Sequence, residues 1–302
     1  MLDWSNISST TDIAIYDESG NLLDYWIESF DATAKTAVVH VYRDWVRDDT
    51  TQAQVAYGNG PSDQSVSKET VFDKESNLQG GWALNETSNS APAYDLTSNN
   101  NDGTRDKSAT ADATGQVDGA DSFDGSDDTV VIKDNDNIVA DKNNWTVSLW
   151  VYSTSNSTQF TYAEDDDNGA SLTIGLHGHE TTSYDAEIAV YDAGWYAATS
   201  SDDSITLNNW HHVVGTFDSG ANDMKLYIDG TQKGVYNGSL TPNTGGGTEI
   251  GRQLWGDQYY FDGTLDDVRV YDATLSSDEI TAKYDTSKPT PDFFNQQAAE
   301  SF

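Results

Sequence analysis

The chain has 302 residues, and its 51 acidic and 15 basic side chains give a formal net charge of -36 at neutral pH. This charge excludes nucleic acid as an expected partner, because the sequence offers no basic patch to neutralise phosphates, and the lack of cysteine excludes disulfides and thiolate metal sites. Aromatic residues make up 11% of the sequence, which predicts a packed fold rather than a disordered acidic chain.

The acidity predicts a high-salt environment. At ordinary ionic strength, self-repulsion among so many carboxylates would strain a compact state, whereas high salt would screen it to within a few Å. We therefore expect a haloarchaeal cell or a haloarchaeal virus as the source. No run of about 18 or more apolar residues occurs, so no membrane span is predicted.

Residues 1–78 are predicted to form a small β domain. The segments TDIAIYD, LDYWIESFD, KTAVVHVYRDWV and TTQAQVAYGNG are typical of short strands. The polar stretch PSDQSVSKETVFDKESN follows them, and a new strand then opens with GGWALNE. A domain boundary is therefore predicted near Leu78.

Residues 79–285 are predicted to be nearly all strand. In NNWTVSLWVYS, apolar and small polar residues alternate, as they do in a half-buried strand. Asp229-Gly230 stands between two candidate strands and predicts a tight hairpin. Many such short strands without long helices favour an antiparallel sandwich or barrel.

One short helix is predicted near the end of this region. Ser276 and Glu279 have the spacing of a capping box, in which each residue bonds the backbone of the other. Residues 286–302 are predicted to be a C-terminal extension, where Pro289 and Pro291 prevent a continuous helix.

An ordered set of motifs makes residues 79–285 resemble the laminin-G-like, concanavalin-A-like lectin family. The motifs are GWALNE, YDLTSNNNDGT, GQVDGADSFDGSDDTVVI, WTVSLWVYS, NNWHHVVGTFD, MKLYIDGTQKG, TEIGR and FDGTLDDVRVYDATLSSDEITAKY. The resemblance implies an all-β, concanavalin-A-like antiparallel β-sandwich, or jelly roll. Residues 1–78 resemble an uncharacterised β domain that precedes laminin-G-like modules in prokaryotic surface proteins. They are expected to form a smaller, possibly incomplete, β-sandwich-like domain.

The resemblance to laminin-G-like sandwiches also implies one structural calcium ion. Ca²⁺ takes six to eight oxygen ligands, and the candidates that match are Asp95, Asn100, Asp102, Asp124 and Asp266. Because adjacent strand residues point to opposite faces, we expect Asp266 to face the ion and Asp267 to face away. The alternative is that these aspartates are only solvated surface.

The histidines are expected to be structural. His177 and His179 share one face of a predicted strand, but a metal site would need a third ligand that the sequence does not identify. His211 and His212 stand where the resembled family packs a histidine beside a tryptophan, so core packing is expected there.

No catalytic motif is evident. The E-x-D-x-x-E carboxylates of the glycosidases that share this fold are absent, and no strand suggests the carboxylate pair that glycoside hydrolysis requires. Neither G-x-S-x-G, H-E-x-x-H nor a P-loop occurs. We therefore expect a protein that is not an enzyme.

Two aromatic segments are the candidate binding residues. Sugar sites combine aromatic faces with a few polar groups, and the candidates are Tyr191, Trp195, Tyr196, Trp255, Tyr259 and Tyr260. The expected ligand is a glycan or a surface glycoprotein. Tyr and Trp also dominate protein interfaces, so other copies of the chain or structural subunits of an assembly are alternative partners.

Together these observations predict a non-catalytic, lectin-like surface or virion appendage protein that acts in attachment or recognition. It is expected outside the cell, at a cell or virion surface in high salt. One alternative is a purely structural subunit of a surface filament or virion that binds no sugar. The other is a carbohydrate-binding module of a secreted enzyme.

Overall fold

The computed structural model describes residues 7–42, 53–57, 64–107, 109–133, 138–166, 169–177, 185–201, 204–242, 246–254 and 258–288. The chain forms two compact units, and the boundary between them lies between Ser76 and Asn77. Within the described ranges, strands dominate and only two short α-helices occur. The prediction of an all-β protein is confirmed.

The N-terminal unit contains two antiparallel strand pairs and one helix. Strand β1 (Ile13–Asp17) pairs with β4 (Ala53–Tyr57), and β2 (Asp24–Asp31) pairs with β3 (Thr36–Tyr42). Helix α1 (Lys68–Phe72) begins after its N-cap residue, whose hydroxyl accepts a hydrogen bond from the backbone in the first turn.

A small apolar core holds this unit together. Ile13, Ile15 and Tyr25 are buried in it together with Ile7. The Tyr25 hydroxyl donates a hydrogen bond of 2.7 Å to the Ile13 carbonyl oxygen, so it joins the two strand pairs. Because this core is small, we expect the unit to have only modest stability of its own.

The second unit is a sandwich of two antiparallel sheets, built from the following strands. Those of the first sheet are β5 (Leu78–Trp82), β7 (Thr110–Thr114), β8 (Gly119–Asp124), β10 (Asn144–Ser153), β15 (Trp210–Asp218), β16 (Asp223–Ile228), β17 (Thr231–Asn237) and β19 (Asp262–Tyr271). Those of the second are β6 (Thr104–Asp106), β9 (Thr129–Lys133), β11 (Gln159–Asp166), β12 (Gly169–Leu176), β13 (Ala186–Tyr191), β14 (Trp195–Thr199) and β18 (Thr248–Ile250).

The strand order identifies the edges of both sheets. The eight-stranded sheet runs β17-β16-β15-β10-β19-β8-β7, and β5 also pairs with β19. The seven-stranded sheet runs β14-β13-β12-β11-β18-β9-β6. This arrangement confirms the predicted antiparallel β-sandwich.

The core lies between the two sheets, because apolar side chains alternate along each strand. On β10, Trp145, Val147 and Leu149 are fully buried in the core, while Ser148 and Trp150 point to the opposite, outer face. We use inner face for the side of each sheet that contributes to this core and outer face for the other side.

Helix α2 (Ser277–Thr286) covers part of the outer face of the eight-stranded sheet. Its capping box between Ser276 and Glu279 is formed as the sequence predicts. The Tyr284 ring lies 5.7 Å from that of Trp150, and the His212 ring lies 5.1 Å from it. His212 therefore packs beside a tryptophan, as expected.

The hairpin between β16 and β17 turns at Asp229 and Gly230, which both have positive φ angles of 51° and 73°. Glycine suits the second position because the left-handed region favours residues without a side chain. The Asp229 carboxylate accepts hydrogen bonds from the His212 backbone N–H and contacts His211 Nδ1 at 2.9 Å. The predicted hairpin is thus formed.

A buried ion pair joins the two sheets at one edge. Arg105 of β6 donates to Asp121 of β8 through Nε at 2.8 Å and Nη2 at 2.9 Å. Its Nη2 also donates to Glu86 at 2.6 Å, and its Nη1 donates to the Ala91 carbonyl oxygen at 2.7 Å. Burial raises the pKa of Asp121 to about 7, although Arg105 opposes this rise.

Candidate functional site

Small side chains occupy the middle of the outer face of the seven-stranded sheet. A row of residues that lie opposite one another crosses five adjacent strands, and we call it the central row. Its members, from the edge strand inwards, are Ala197, Ala189, Thr173, Ala163 and Glu249. All alternate with core residues, so their side chains belong to the outer face.

An exposed aromatic pair lies on one side of the central row. Tyr191 ends β13 and lies directly opposite Trp195, which begins β14. Their rings meet edge to face with centroids 5.5 Å apart, and Trp195 is 39% exposed. The tight turn between the strands fixes this pair, which we call the edge pair.

Tyr196 does not belong to the edge pair. It follows Trp195 directly and lies opposite Val190, a core residue, so it points to the inner face. There its ring packs 5.4 Å from that of Tyr236 at the rim of the sandwich. Of the three aromatic residues predicted in this segment, the structure brings Tyr191 and Trp195 together and separates Tyr196 from them.

A second aromatic group lies on the other side of the central row, and we call it the loop group. It comprises Phe160, Tyr259 and Tyr260. The rings of Phe160 and Tyr259 meet edge to face at 5.9 Å, and the Phe160 N–H donates to the Tyr259 carbonyl oxygen at 3.1 Å. Trp255 lies outside the described residues.

Sequence reasoning missed Phe160. A bulge between Phe160 and Tyr162 changes the alternation of β11, so Phe160 lies opposite Gly175 on the outer face while Tyr162 stays in the core. No local signal in the sequence marks this bulge. The one residue type that relates to the bulge is the glycine opposite Phe160. A Cβ added at Gly175 would lie 2.8 Å from the Phe160 ring.

Arg252 connects the loop group to the end of the central row. Its Nε and Nη2 donate to the two carboxylate oxygens of Glu249 at 2.6 and 2.9 Å, and the guanidinium lies 5.8 Å from the Tyr260 ring centroid. The hydrogen bonds that Arg252 donates to Glu249 raise the pKa of Arg252 despite its partial burial. Thr129 adds a hydrogen bond of 2.7 Å to the same carboxylate.

Two hydroxyls on this face lack hydrogen-bond partners. Ser171 and Thr173 are both fully buried, and neither side-chain oxygen has a partner. Buried polar groups are usually paired, because an unpaired one loses its hydration without compensation. The hydrogen bonding on the outer face of the sheet is therefore incomplete at these two hydroxyls.

The predicted calcium ligands in the loop at residues 95–102 form hydrogen bonds with the backbone around that loop. The Asp95 carboxylate accepts hydrogen bonds from the backbone N–H groups of Gly81, Thr97 and Asn101, at 3.1, 3.0 and 2.9 Å. Asp102 in turn accepts from the Asp95 N–H at 2.8 Å. The Asn100 side chain donates to the Ser98 carbonyl oxygen at 2.6 Å.

Asp266 holds a different segment. Its carboxylate accepts from the backbone N–H groups of Gln116 and Val117 at 2.7 and 2.8 Å, and the residue is only 1% exposed. Asp267 has a left-handed φ of 48° and accepts from Arg269 Nε at 2.9 Å. The expected alternation of the two aspartates does not hold here, because a bulge interrupts the pairing of β19 with β10.

Asp124 is the one predicted calcium ligand that lies in a cluster of three carboxylates. Its oxygens, with those of Asp127 and Asp128, lie within 4.8 Å of one another, and this is the only such group of three in the described part of the chain. Carboxylate oxygens are the ligands that Ca²⁺ prefers, and three carboxylates would supply part of its coordination sphere. The calcium site stays a prediction.

Substituting Asp266 separates its structural role from metal binding. We expect Asp266→Asn to lower the free energy of unfolding by about 1–3 kcal/mol, because a neutral amide oxygen is a weaker acceptor than a carboxylate for the two N–H donors. The decrease in the free energy of unfolding should be the same in the presence of calcium and in the presence of a chelator. Thermal melts measure it, with Asp124→Asn as the variant expected to remove any calcium-dependent rise in Tm. A loss seen only in calcium would place Asp266 at a metal site.

Comparisons with known families match both units. The family described as the concanavalin A-like lectin/glucanases superfamily matches residues 124–281, just over half of the chain. A domain of unknown function, DUF2341, matches residues 9–85. The latter agrees with the predicted uncharacterised β domain ahead of the sandwich. No curated protein sequence matches the chain.

Several solved structures share the fold at low sequence identity. Domain 4 of AbnA, an extracellular arabinanase from Geobacillus stearothermophilus, in complex with arabinotriose, is 20% identical, with a TM-score of 0.53 over 68% of this chain and 97% of that one. The binding domain of Paraclostridial Mosquitocidal Protein 1 is 15% identical, with a TM-score of 0.52 over 70% of this chain and 52% of that one.

The binding domain of botulinum neurotoxin DC, in complex with SialylT, is 13% identical, with a TM-score of 0.52 over 71% of this chain and 52% of that one. The chain thus spans about half of each of these two toxin domains. At such identities the likeness concerns the fold. In the described ranges, no helix has both the length and the apolar character needed to cross a membrane.

Proposed function

The chain belongs to the concanavalin A-like lectin/glucanase superfamily, and we propose that its second unit binds carbohydrate, without catalysis, at the exposed edge of the seven-stranded sheet where the edge pair lies. The arabinanase domain with arabinotriose and the neurotoxin domain with SialylT support this proposal by analogy of fold. Fold alone does not determine function, so the proposal depends on the site.

The observation that carries the proposal is the edge pair. Trp195 exposes more than a third of its surface at the edge of the sheet, where the Tyr191 ring packs against it edge to face. Sugar rings have apolar faces and polar edges, and aromatic side chains with a few oriented polar groups match them. Among the described outer-face residues, Trp195 has the most exposed ring.

The finer proposal is that this binding serves attachment to a surface, outside the cell, in high salt. The formal net charge of -36 supports the high-salt setting, because the fold would need screening of its repulsion. A haloarchaeal or viral source belongs to the same proposal. A melting temperature that stays constant from molar to millimolar NaCl would contradict it.

Replacing Trp195 tests the site directly. We expect Trp195→Ala to weaken binding to soluble polysaccharides about tenfold, because a stacking aromatic contributes about 1 kcal/mol beyond its buried area. Affinity electrophoresis against a panel of neutral polysaccharides measures this. The fold should survive, since the residue is partly exposed on an edge strand.

Tyr94→Ala is the matched control. Tyr94 is 46% exposed on the loop before β6, the strand at the opposite edge of the sheet from β14. Its loss should leave binding unchanged. Equal binding by wild type and Trp195→Ala would reject the edge pair as the site. Failure of the wild type to bind any polysaccharide would favour the structural-subunit alternative.

A further inference from the structure

The sequence contains five Asn-x-Ser/Thr triplets, the motif at which a transferase attaches an N-linked oligosaccharide. They begin at Asn6, Asn85, Asn144, Asn156 and Asn237. Such triplets often arise by chance in a chain rich in Asn, Ser and Thr, so the motif alone selects none of them. We propose that Asn237 is the acceptor site for an N-linked oligosaccharide on the folded protein. The proposal is independent of carbohydrate binding at the edge pair.

The Asn237 triplet is accessible because it lies where β17, an edge strand of the eight-stranded sheet, ends. The motif combines an amide with a hydroxyl two residues later, so a transferase must reach both side chains. Asn237 and Ser239 are both exposed, and neither side chain forms a hydrogen bond within the described residues. No other triplet in the described ranges has both of these residues exposed.

The backbone at this triplet can be presented to an enzyme with little disruption. Asn237 forms the last pair of β17, opposite Asp223. The N–H of Gly238 donates to the Asn222 carbonyl oxygen at 2.8 Å. Only these last contacts of an edge strand have to open, and the ends of elements open at a much lower free energy than central strands do.

The triplet at Asn144 provides a matched contrast. The strand register places Asn144 opposite Asp218 and Asn237 opposite Asp223, and the two aspartates lie opposite each other. The two asparagines therefore lie in one row at the same end of the sheet, about 14 Å apart across three strand spacings. Both are exposed. Exposure of the asparagine thus does not distinguish the two sites.

The residues that follow Asn144 are what make its triplet inaccessible. Trp145 and Thr146 are fully buried, and β10 lies between β15 and β19 in the middle of the sheet. The Thr146 hydroxyl donates to the Ala273 carbonyl oxygen at 2.7 Å and accepts from the Leu275 N–H at 3.0 Å. A transferase could reach this hydroxyl only if the central strands separated.

The remaining triplets are less accessible than that of Asn237 or lie outside the described residues. Asn85 is half-buried. Asn156 is exposed, but Thr158 is partly buried and its hydroxyl donates to the His177 carbonyl oxygen at 3.4 Å. Asn6 lies outside the described residues. The proposal is therefore confined to Asn237.

The modification requires a lipid-linked oligosaccharide as its second substrate. The side-chain nitrogen of Asn237 forms a bond to the anomeric carbon of the first sugar, while the bond from that carbon to the lipid phosphate oxygen breaks. The lipid phosphate leaves with the bonding electron pair, and the amide nitrogen gives one proton to a base of the transferase. The product carries a bulky hydrophilic chain at the end of β17.

Transfer to the folded chain in vitro tests the proposal. The full-length protein, produced without glycans, is incubated with a purified oligosaccharyltransferase that accepts Asn-x-Ser/Thr and with its lipid-linked oligosaccharide, and modified peptides are quantified by mass spectrometry. We expect modification of Asn237, with Asn144 modified at least about tenfold less because its triplet requires the sheet to open. Synthetic peptides that span each triplet lack the fold, and both should be accepted.

Variants at this triplet show whether the modification follows the motif. Asn237→Gln and Ser239→Ala should each abolish modification at this position in a protein that still folds, whereas Ser239→Thr keeps the hydroxyl and should keep the modification. Rejection of the Asn237 peptide, or an unmodified Asn237 in the folded protein, would overturn the proposal. Equal modification of Asn144 and Asn237 in the folded protein would overturn it as well, because accessibility would then not select the site.

Discussion

Replacing Arg105 by Met is expected to lower the free energy of unfolding of the second unit by about 3–5 kcal/mol, because breaking a buried pair leaves a buried carboxylate without its counter-charge. The side chains of Arg105 and Asp121 are 2% and 0% exposed, so water cannot replace the lost partner. Urea unfolding followed by fluorescence measures the change.

The stability lost on replacing Arg105 by Met should depend on pH in a defined direction. Burial already raises the pKa of Asp121 to about 7 against the pull of Arg105, and removing Arg105 should raise it further. A carboxyl whose pKa is raised by folding favours the folded state at low pH, and this contribution is lost as the pH rises through the folded-state pKa. The Arg105→Met loss should therefore be larger at pH 8 than at pH 5.

Lys142→Met is the control for this experiment. Lys142 pairs with Asp141 at 2.8 Å, but both side chains are at least 40% exposed. Exposed pairs contribute about 0–1 kcal/mol, so this variant should be nearly as stable as wild type. If Arg105→Met were no more harmful than Lys142→Met, the buried pair would contribute little to joining the sheets.

Acid should destabilise the second unit through His212 by as much as about 3 kcal/mol between pH 6.5 and pH 4. Burial lowers the pKa of His212 to about 4, and the nearby Asp267 and Asp229 only partly oppose this. Because the unfolded chain takes up a proton near pH 6.5 and the folded one does not, stability is complete above that pH and is lost as the pH falls to about 4.

Comparison with His212→Phe isolates this contribution from the many carboxylates. Phenylalanine can keep the ring contacts with Trp150 and Tyr284 and removes Nδ1, which has no partner in the structure. The variant should lose less stability than wild type on acidification, as judged from urea unfolding at pH 7 and pH 4.5. Parallel losses in wild type and His212→Phe would contradict the role of His212.

Much of the fold could be predicted because the strands, turns and helix caps have recognisable patterns among residues that are neighbours in sequence. The alternation in β10, the Asp229-Gly230 turn and the Ser276–Glu279 capping box all depend on neighbours in sequence, and the structure contains all three. Trp195 and Tyr196 could also have been assigned to opposite faces by the same alternation.

The remaining features depend on contacts between distant segments. Arg105 lies in a polar stretch that resembles surface, and it is buried only because β6 and β8 bring it against Asp121. The bulges at Phe160 and Asp267 shift side chains between faces without a local signal. In a chain with so many aspartates, composition also hides the few that are buried, such as Asp266.

The position of β19 has a consequence for how the protein is made. This strand lies inside the eight-stranded sheet and pairs with β10 on one side and with β5 and β8 on the other, yet it is synthesised after all the other strands of that sheet. At about 5–20 residues per second, on the order of 10–40 s separate the emergence of β5 from that of β19. During that time the earlier strands have unpaired edges on the ribosome, where they can pair with other chains. The sheet can therefore be completed only after β19 has been synthesised, and crowded nascent chains or a truncation before β19 should lead to aggregation.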